Sequence, residues 1–428
     1  MFILAIEPLA AAVKRGQLHG IKIGTEEFLI GQYADDTFLF LDGKEESLRA
    51  ALNIFRNFHL CSGLKINVEK TCAVWVGRGS LQRLPICEDL ALQWCRSFKL
   101  LGITFDIDNM QDMVQLNLNA KLKEMEKVLL AYKRRNLTIL GKITVIKTII
   151  IPKFVHVLSV LPNPSHKTII DLNAKFSEFI WNSKTGKINR NLLSLDLAEG
   201  GLKMTHLLSF IKALKIKWIK TIYNGDEGWV DIFKMFMGNA QFKCMWQLDG
   251  NSLTQLAKRV ATINPFWGDM IEAWAELVGM PQSANDVLKM TIWYTWYVKN
   301  YNLKQLQNNF ILADCIVIGD LLGEDYTFLT YAQLKDKFGV NLNCLDYMAL
   351  QREIPKRWRE LIIHNQDNIE EERESKQIIS LLKTDKVCNW AYKNLRNKLK
   401  VKENYKTKWE IKLGIPPRRL VGVQLNTV

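Results

Sequence analysis

Asp35 and Asp36 stand side by side in the stretch GQYADDTFLF (31–40), between two apolar runs. Adjacent carboxylates repel, and a hairpin bend needs only one Asp. Two alternatives follow. Asp is a favoured turn residue, so a solvated bend accounts for the pair by itself. Held rigidly at a hairpin tip, the same carboxylates could instead ligate divalent cations. Mg²⁺ takes oxygen ligands and keeps several waters, so a few Asp oxygens suffice. Two such ions close together can activate an attacking hydroxyl and stabilise a leaving pyrophosphate. Neighbouring side chains of a strand point opposite ways, so the two Asp need not both be direct ligands.

Other constellations are weaker. Asp106, Asp108 and Asp112 are spaced like part of a calcium loop, but Met110 and Gln111 stand where an oxygen ligand and a Gly belong, so a polar loop is expected. His19, His59, His156, His166, His206 and His364 form no short-spaced cluster. The eight Cys (61, 72, 87, 95, 244, 315, 344 and 388) contain no Cys-x-x-Cys and no zinc-finger spacing. Reduced thiols of an intracellular protein are the simple reading. No Gly-rich phosphate loop followed by Lys-Ser/Thr is present.

The elements that must position the pair read as α/β over 1–110. A helix is expected over 2–14, short strands over 21–23, 28–32 and 37–41, and a helix over 44–61 ended by Gly63. Strands fit 71–76 and 97–105. From 112 the apolar spacing turns helical: Val114, Leu118, Leu122, Met125, Leu129 and Tyr132 mark one long helix. Others are expected over 139–151, ending before Pro152, over 169–181 and over 207–223. Residues 226–350, rich in Trp and Tyr, read as mixed helices. The stretch 144–161 is cut by Lys147, Pro152, Lys153 and His156, and the opening MFILAIEPL lacks a basic n-region. No uninterrupted apolar run of spanning length is therefore expected, and no membrane partner.

The chain is 48% hydrophobic and 24% charged, as expected of one that buries a core, but its net charge of +14 is unusual. A surplus of Lys and Arg points to phosphate-rich partners, nucleic acid first. Much of it lies in 383–419, with 12 Lys/Arg against 3 Asp/Glu. There Lys398, Lys400, Lys402, Lys406, Lys408, Arg418 and Arg419 are candidate phosphate contacts. Trp390, Tyr405 and Trp409 could stack on unpaired bases or line the buried face of an amphipathic helix.

The order of segments behind the Asp pair resembles the reverse transcriptase of non-LTR (LINE-type) retrotransposons. YADD (33–36) is similar to that family's catalytic hairpin, although many members have Phe where this chain has Tyr33. GLKINVEKT (63–71) and LLG (100–102) are similar to the segments that follow it. LTILGKITVIKTIIIPKF (137–154), FIWNSKTGKI (179–188) and EGGLKMTHLLSFIKALKIKWIK (199–220) resemble the thumb and the helical region after it, and IGDLLGEDYTFLTYAQLKDKFGV (318–340) a segment farther on. The resemblance implies an α+β fold: a partial polymerase palm, an antiparallel sheet with helices, over 1–110. A helical thumb and connection (111–225), a Trp/Tyr-rich helical region (226–350) and a basic C-terminal region (351–428) would follow.

It also implies roles. Asp35 and Asp36 would be the catalytic, metal-binding pair for Mg²⁺ or Mn²⁺, with Asp35 the direct ligand. Tyr33, Gly63, Asn67 and Lys70 would border the primer end and the incoming nucleotide, and Leu101 and Gly102 would grip the primer. Lys70 could equally be an exposed strand-edge lysine, and Leu101-Gly102 an ordinary turn. The partners would be an RNA template, a DNA primer and deoxynucleoside triphosphates, in a nuclear setting. The family's first catalytic Asp and its fingers would lie upstream of MFILAIEPL, so a fragment inactive in polymerisation is expected. A non-catalytic, basic RNA- or DNA-binding protein derived from such an element is the alternative.

Overall fold

The computed structural model describes residues 2–24, 26–77, 93–109, 112–183, 188–225, 228–340, 342–364 and 382–399. The chain divides into two compact units, Met1–Asn117 and Leu118–Val428. The class is α+β, as expected from the sequence.

In the first unit, α1 (Phe2–Arg15) turns one apolar stripe inward through Ile6, Leu9 and Val13. Two antiparallel ribbons follow, β1 (Ile21–Ile23) with β2 (Glu26–Phe28) and β3 (Ile30–Tyr33) with β4 (Asp36–Leu39). α2 (Glu45–Ser62) ends where Gly63 takes a left-handed φ of 73° and donates its N–H to the His59 carbonyl at 2.8 Å. That backbone conformation is cheap only without a Cβ, and the sequence places this stop correctly. The unit's core joins Leu9 and Val13 of α1 and Ala51 of α2 to Leu18, with Ile30 and Leu39 of the β3–β4 ribbon packed on it. β5 (Cys72–Ala73) and β6 (Gln93–Trp94) pair in parallel, and β7 (Ser97–Leu100) and β8 (Ile103–Asp106) form a hairpin.

Two expectations need correcting. The strand expected over 28–32 is broken at Leu29, because Phe28 belongs to one ribbon and Ile30 to the next. The strand expected over 97–105 folds back on itself at Leu101-Gly102. Among the described residues the strands form four separate two-stranded ribbons, three of them antiparallel as expected and one, β5–β6, parallel.

The second unit is helical. α3 (Met113–Lys133) leads into it. It continues with α4 (Ile139–Val160), α5 (His166–Trp181), α6 (Leu207–Asn224), α7 (Gly228–Met237), α8 (Asn239–Met245), α9 (Gly250–Ala261), α10 (Pro265–Val278), α11 (Tyr301–Leu312), α12 (Tyr331–Phe338), α13 (Cys344–Glu353), α14 (Lys356–His364) and α15 (Val387–Asn397). The aromatic run 291–300 was expected to be helical and is not. Thr291 bridges Val317, and the Trp293 indole N–H donates to the Cys315 carbonyl at 2.8 Å. With Ile292, Trp293, Tyr297 and Val298 all buried, this run has no polar face for a helix to present to water.

α4 is another correction. It does not stop before Pro152 but continues to Val160, making one helix long and apolar enough to cross a membrane. Residues Ile146–Ile150 wind as a π-helix, and the Ile151 N–H donates five residues back to Ile146. This widened turn accommodates Pro152, which has no N–H and whose ring would strike a carbonyl in regular α-helix. Ile143, Ile146, Ile150, Phe154 and Leu158 are buried in the protein core, so one face of α4 is already covered.

Three lysines close helix ends in this unit. Lys142 Nζ donates to the Ile180 carbonyl (3.2 Å) and to Asn182 Oδ1 (3.0 Å) at the end of α5. Lys215 Nζ donates to the carbonyls of Leu158 (2.7 Å) and Leu161 at the end of α4, and lies 4.7 Å from the Phe266 ring centroid. Lys398 Nζ donates to the carbonyls of Glu276 and Leu277 at the end of α10. The last carbonyls of a helix lack intrahelical donors, and the helix dipole favours a cation there. Desolvation lowers the pKa of all three.

Lys215 is fully buried, and desolvation takes it from the usual 10.5 to about 8, against the opposing pull of Asp269. Asp269 is itself pushed up by burial, while its Oδ2 accepts the Asn163 N–H at 2.6 Å. Between about 8 and 10.5 the unfolded chain binds the proton that the folded chain has released. The contribution of Lys215 to stability therefore rises with pH through that window. Urea unfolding of wild type and Lys215→Met, compared at both ends of the window, should show wild type gaining on the variant as pH rises. A difference independent of pH would show that the buried ammonium keeps its ordinary proton affinity.

Candidate active site

The β3–β4 ribbon presents the two carboxylates. Ile30 pairs with Leu39, Gly31 with Phe38, Gln32 with Thr37 and Tyr33 with Asp36, which leaves Ala34 and Asp35 as a two-residue tip. The bend expected over 34–36 is thus shorter by one residue, and Asp36 is the first residue of β4. Gly31 sits beneath Phe38, where a Cβ would come within 2.6 Å of the ring. Phe38 can therefore lie flat across the ribbon, which a side chain at 31 would prevent. Ala34 takes a left-handed φ of 52°. That conformation costs a non-glycine residue roughly 1–2 kcal/mol, and such strain gathers at functional sites. Tyr33, Asp35 and Asp36 are all exposed. The Nε2 of Gln32, one residue before Tyr33, is buried without a hydrogen-bond partner among the described residues.

Asp35 and Asp36 supply two adjacent carboxylates. A two-metal centre needs more ligands held in one place. Among the described residues no three His, Cys, Asp or Glu side chains converge to hold a metal ion. The two Asp therefore do not form a complete metal site among these residues.

The other predicted site residues lie on neighbouring elements of the first unit. Gly63 is the helix stop of α2, with open space where a Cβ would stand. Asn67 opens the 3₁₀ turn Val68–Lys70: its Oδ1 accepts the Lys70 N–H at 3.2 Å, and its carbonyl accepts the Thr71 hydroxyl at 2.8 Å. Lys70 is exposed, but at the end of this turn rather than on a strand edge.

Leu101 and Gly102 form the two-residue tip of β7–β8, with φ of 46° and 83°. Positive φ at both positions fits the twist of a tight hairpin, and Asn-Gly is the favoured sequence. Leu at the first position is strained, and it is 41% exposed.

Asn117, at the start of α3, anchors this hairpin. Its Oδ1 accepts the Thr104 N–H and its Nδ2 donates to the Thr104 carbonyl, each at 2.8 Å. The amide thus serves the strand edge as another strand would. Leaving either Thr104 group buried and unpaired would cost roughly 1–3 kcal/mol. Sequence reading passed over Asn117. The available signal was a polar residue next to Leu118 on an otherwise apolar face.

Of the proposed nucleic-acid contacts, Lys398 is directed to the end of α10. Lys400, Lys402, Lys406, Lys408, Arg418 and Arg419 lie outside the described residues, as do Tyr405 and Trp409. Trp390 packs against the core, and the Tyr392 hydroxyl accepts the His206 N–H at 3.1 Å, so the described aromatics of this region serve packing. Charge does gather where α15 meets α6. Lys217, Lys220 and Lys386, with Thr221, Asn224 and Asp385, line an open hollow of about 480 Å³.

The candidate site lies within a region that matches a known family model. Residues 1–105 match the family model for reverse transcriptase (RNA-dependent DNA polymerase). The match spans the Asp35-Asp36 tip, Gly63, Asn67, Lys70 and the Leu101-Gly102 turn, and it supports assignment of this region to the RNA-directed DNA polymerase family. Reverse transcriptases use divalent metal ions and act on template, primer and deoxynucleoside triphosphates.

Leu101 is a strained, exposed residue at a turn that prefers Asn. Leu101→Asn should raise the unfolding free energy by about 1 kcal/mol. Denaturant unfolding checks this; no gain, or a loss, would show that the Leu side chain supports the hairpin.

Proposed function

We propose that this chain is part of the RNA-directed DNA polymerase of a non-LTR (LINE-type) retrotransposon. The observation that carries the reading is the exposed Asp35-Asp36 hairpin inside the region matched by the reverse transcriptase model. Behind it, in the order of that enzyme class, come the 63–71 segment and the strained Leu101-Gly102 turn. In this reading Asp35 and Asp36 bind Mg²⁺ or Mn²⁺, and Tyr33, Gly63, Asn67 and Lys70 border the nucleotide. Leu101 and Gly102 contact the primer. The partners are an RNA template and a DNA primer, in the nucleus.

This polypeptide alone does not polymerise DNA in this reading. Two exposed carboxylates with no third ligand beside them among the described residues hold metal weakly and stabilise little transition-state charge. The alternative, a non-catalytic nucleic-acid-binding protein derived from such an element, is favoured by the net charge of +14 and by the lysine-lined hollow at α6 and α15.

Primer extension with the purified chain, an RNA template and Mg²⁺ or Mn²⁺ should give no product. Binding to the same template should weaken steeply with salt, as phosphate contacts dictate. Template-dependent synthesis that disappears in Asp35→Ala would overturn the inactivity. Binding insensitive to salt would remove the nucleic-acid role from both readings.

A further inference from the structure

The pairing of β5 and β6 brings two cysteines together. Cys72 lies opposite Gln93 and Ala73 opposite Trp94. Side chains alternate along a strand, so Cys95, two residues past Gln93, falls on the Cys72 face. The Cys95 N–H extends the ladder by donating to the Ala73 carbonyl at 2.9 Å. The two thiols face each other closely enough to interact, and neither is in a disulfide. Cys72 is exposed and Cys95 half-buried, so small reagents reach the pair through Cys72.

We propose that Cys72 and Cys95 are an oxidisable dithiol, which forms a reversible disulfide by exchange with a low-molecular-weight disulfide such as oxidised glutathione. The Cys72 thiolate attacks one glutathione sulfur, and the other glutathione leaves as a thiolate. The Cys95 thiolate then attacks the Cys72 sulfur and expels the second glutathione. One protein disulfide forms, one glutathione disulfide is reduced, and the protons released by the cysteines pass to the two glutathione thiolates. Partial desolvation, and then the Cys95 sulfur, push the Cys72 thiol up, so less of it is thiolate than in a free cysteine and its first attack is correspondingly slower. The bridge would begin one residue after Thr71 and end two residues before β7, tying the 63–71 segment to the β7–β8 hairpin.

The full chain, incubated under native conditions with mixtures of oxidised and reduced glutathione, should yield a Cys72–Cys95 cross-linked peptide in a non-reducing map. The peptide should be two hydrogens lighter than the reduced pair and should be restored by dithiothreitol. In urea the same mixtures should give about tenfold less of this linkage. Cys95→Ser should trap glutathione on Cys72, because nothing remains to expel it. Stable glutathione on Cys72 of the wild type without the bridge would overturn the proposal. So would a linkage formed equally in native and urea-treated chain, and both measurements use the wild type alone.

Discussion

A buried backbone N–H or C=O must have a partner, and most of this architecture follows from how the chain supplies one. Regular helices and ribbons pair their own interiors and leave their ends and edges open. Here long polar side chains from other elements close those gaps. Asn117 completes the open edge of β8 at Thr104. Lys142, Lys215 and Lys398 each deliver an ammonium to the last carbonyls of a different helix. Gly63 lets α2 turn back on its own carbonyl. Each of the Asn and Lys contacts also joins two elements, so closing an end fixes a helix or hairpin against its neighbour.

The hairpin tip depends on the same economy. A two-stranded ribbon is marginal alone in water. The β3–β4 ribbon is held because Ile30 and Leu39 pack on Leu9, Val13 and Ala51 from two helices, while its far end carries the charged pair into solvent. Apolar support beneath thus holds the two exposed carboxylates at the end of the ribbon. The 63–71 segment and the β7–β8 hairpin are anchored by separate devices, the first by hydrogen bonds to Asn67 and the second by Asn117.

Much of this was legible in the sequence. Apolar spacing located α2, α3, α5 and α6 to within a few residues, and Gly63 marked a helix end. The region around Asp35-Asp36, read as similar to a reverse transcriptase, falls within the residues that match that family model. Three features were hidden for physical reasons. Pro152 normally breaks a helix, and only the widened turn before it reverses that rule. The aromatic run around Trp293 lacks a helical pattern, because Ile292, Trp293, Tyr297 and Val298 are buried in an irregular segment that pairs with 315–317. Lys398 looks like any other cation in a basic tail, and only the three-dimensional position of α10 gives it a structural task. Net charge is therefore a loose guide to binding surface, since some of it faces inward.

The π-turn before Pro152 has a consequence for descent. The extra residue in Ile146–Ile150 and the proline behind it are mutually dependent. Deleting one residue there restores regular winding and drives the proline ring into a carbonyl. Replacing the proline leaves a wide turn with no purpose. The two features should be gained and lost together, and a lineage carrying one without the other would have to repack the whole face from Ile143 to Leu158.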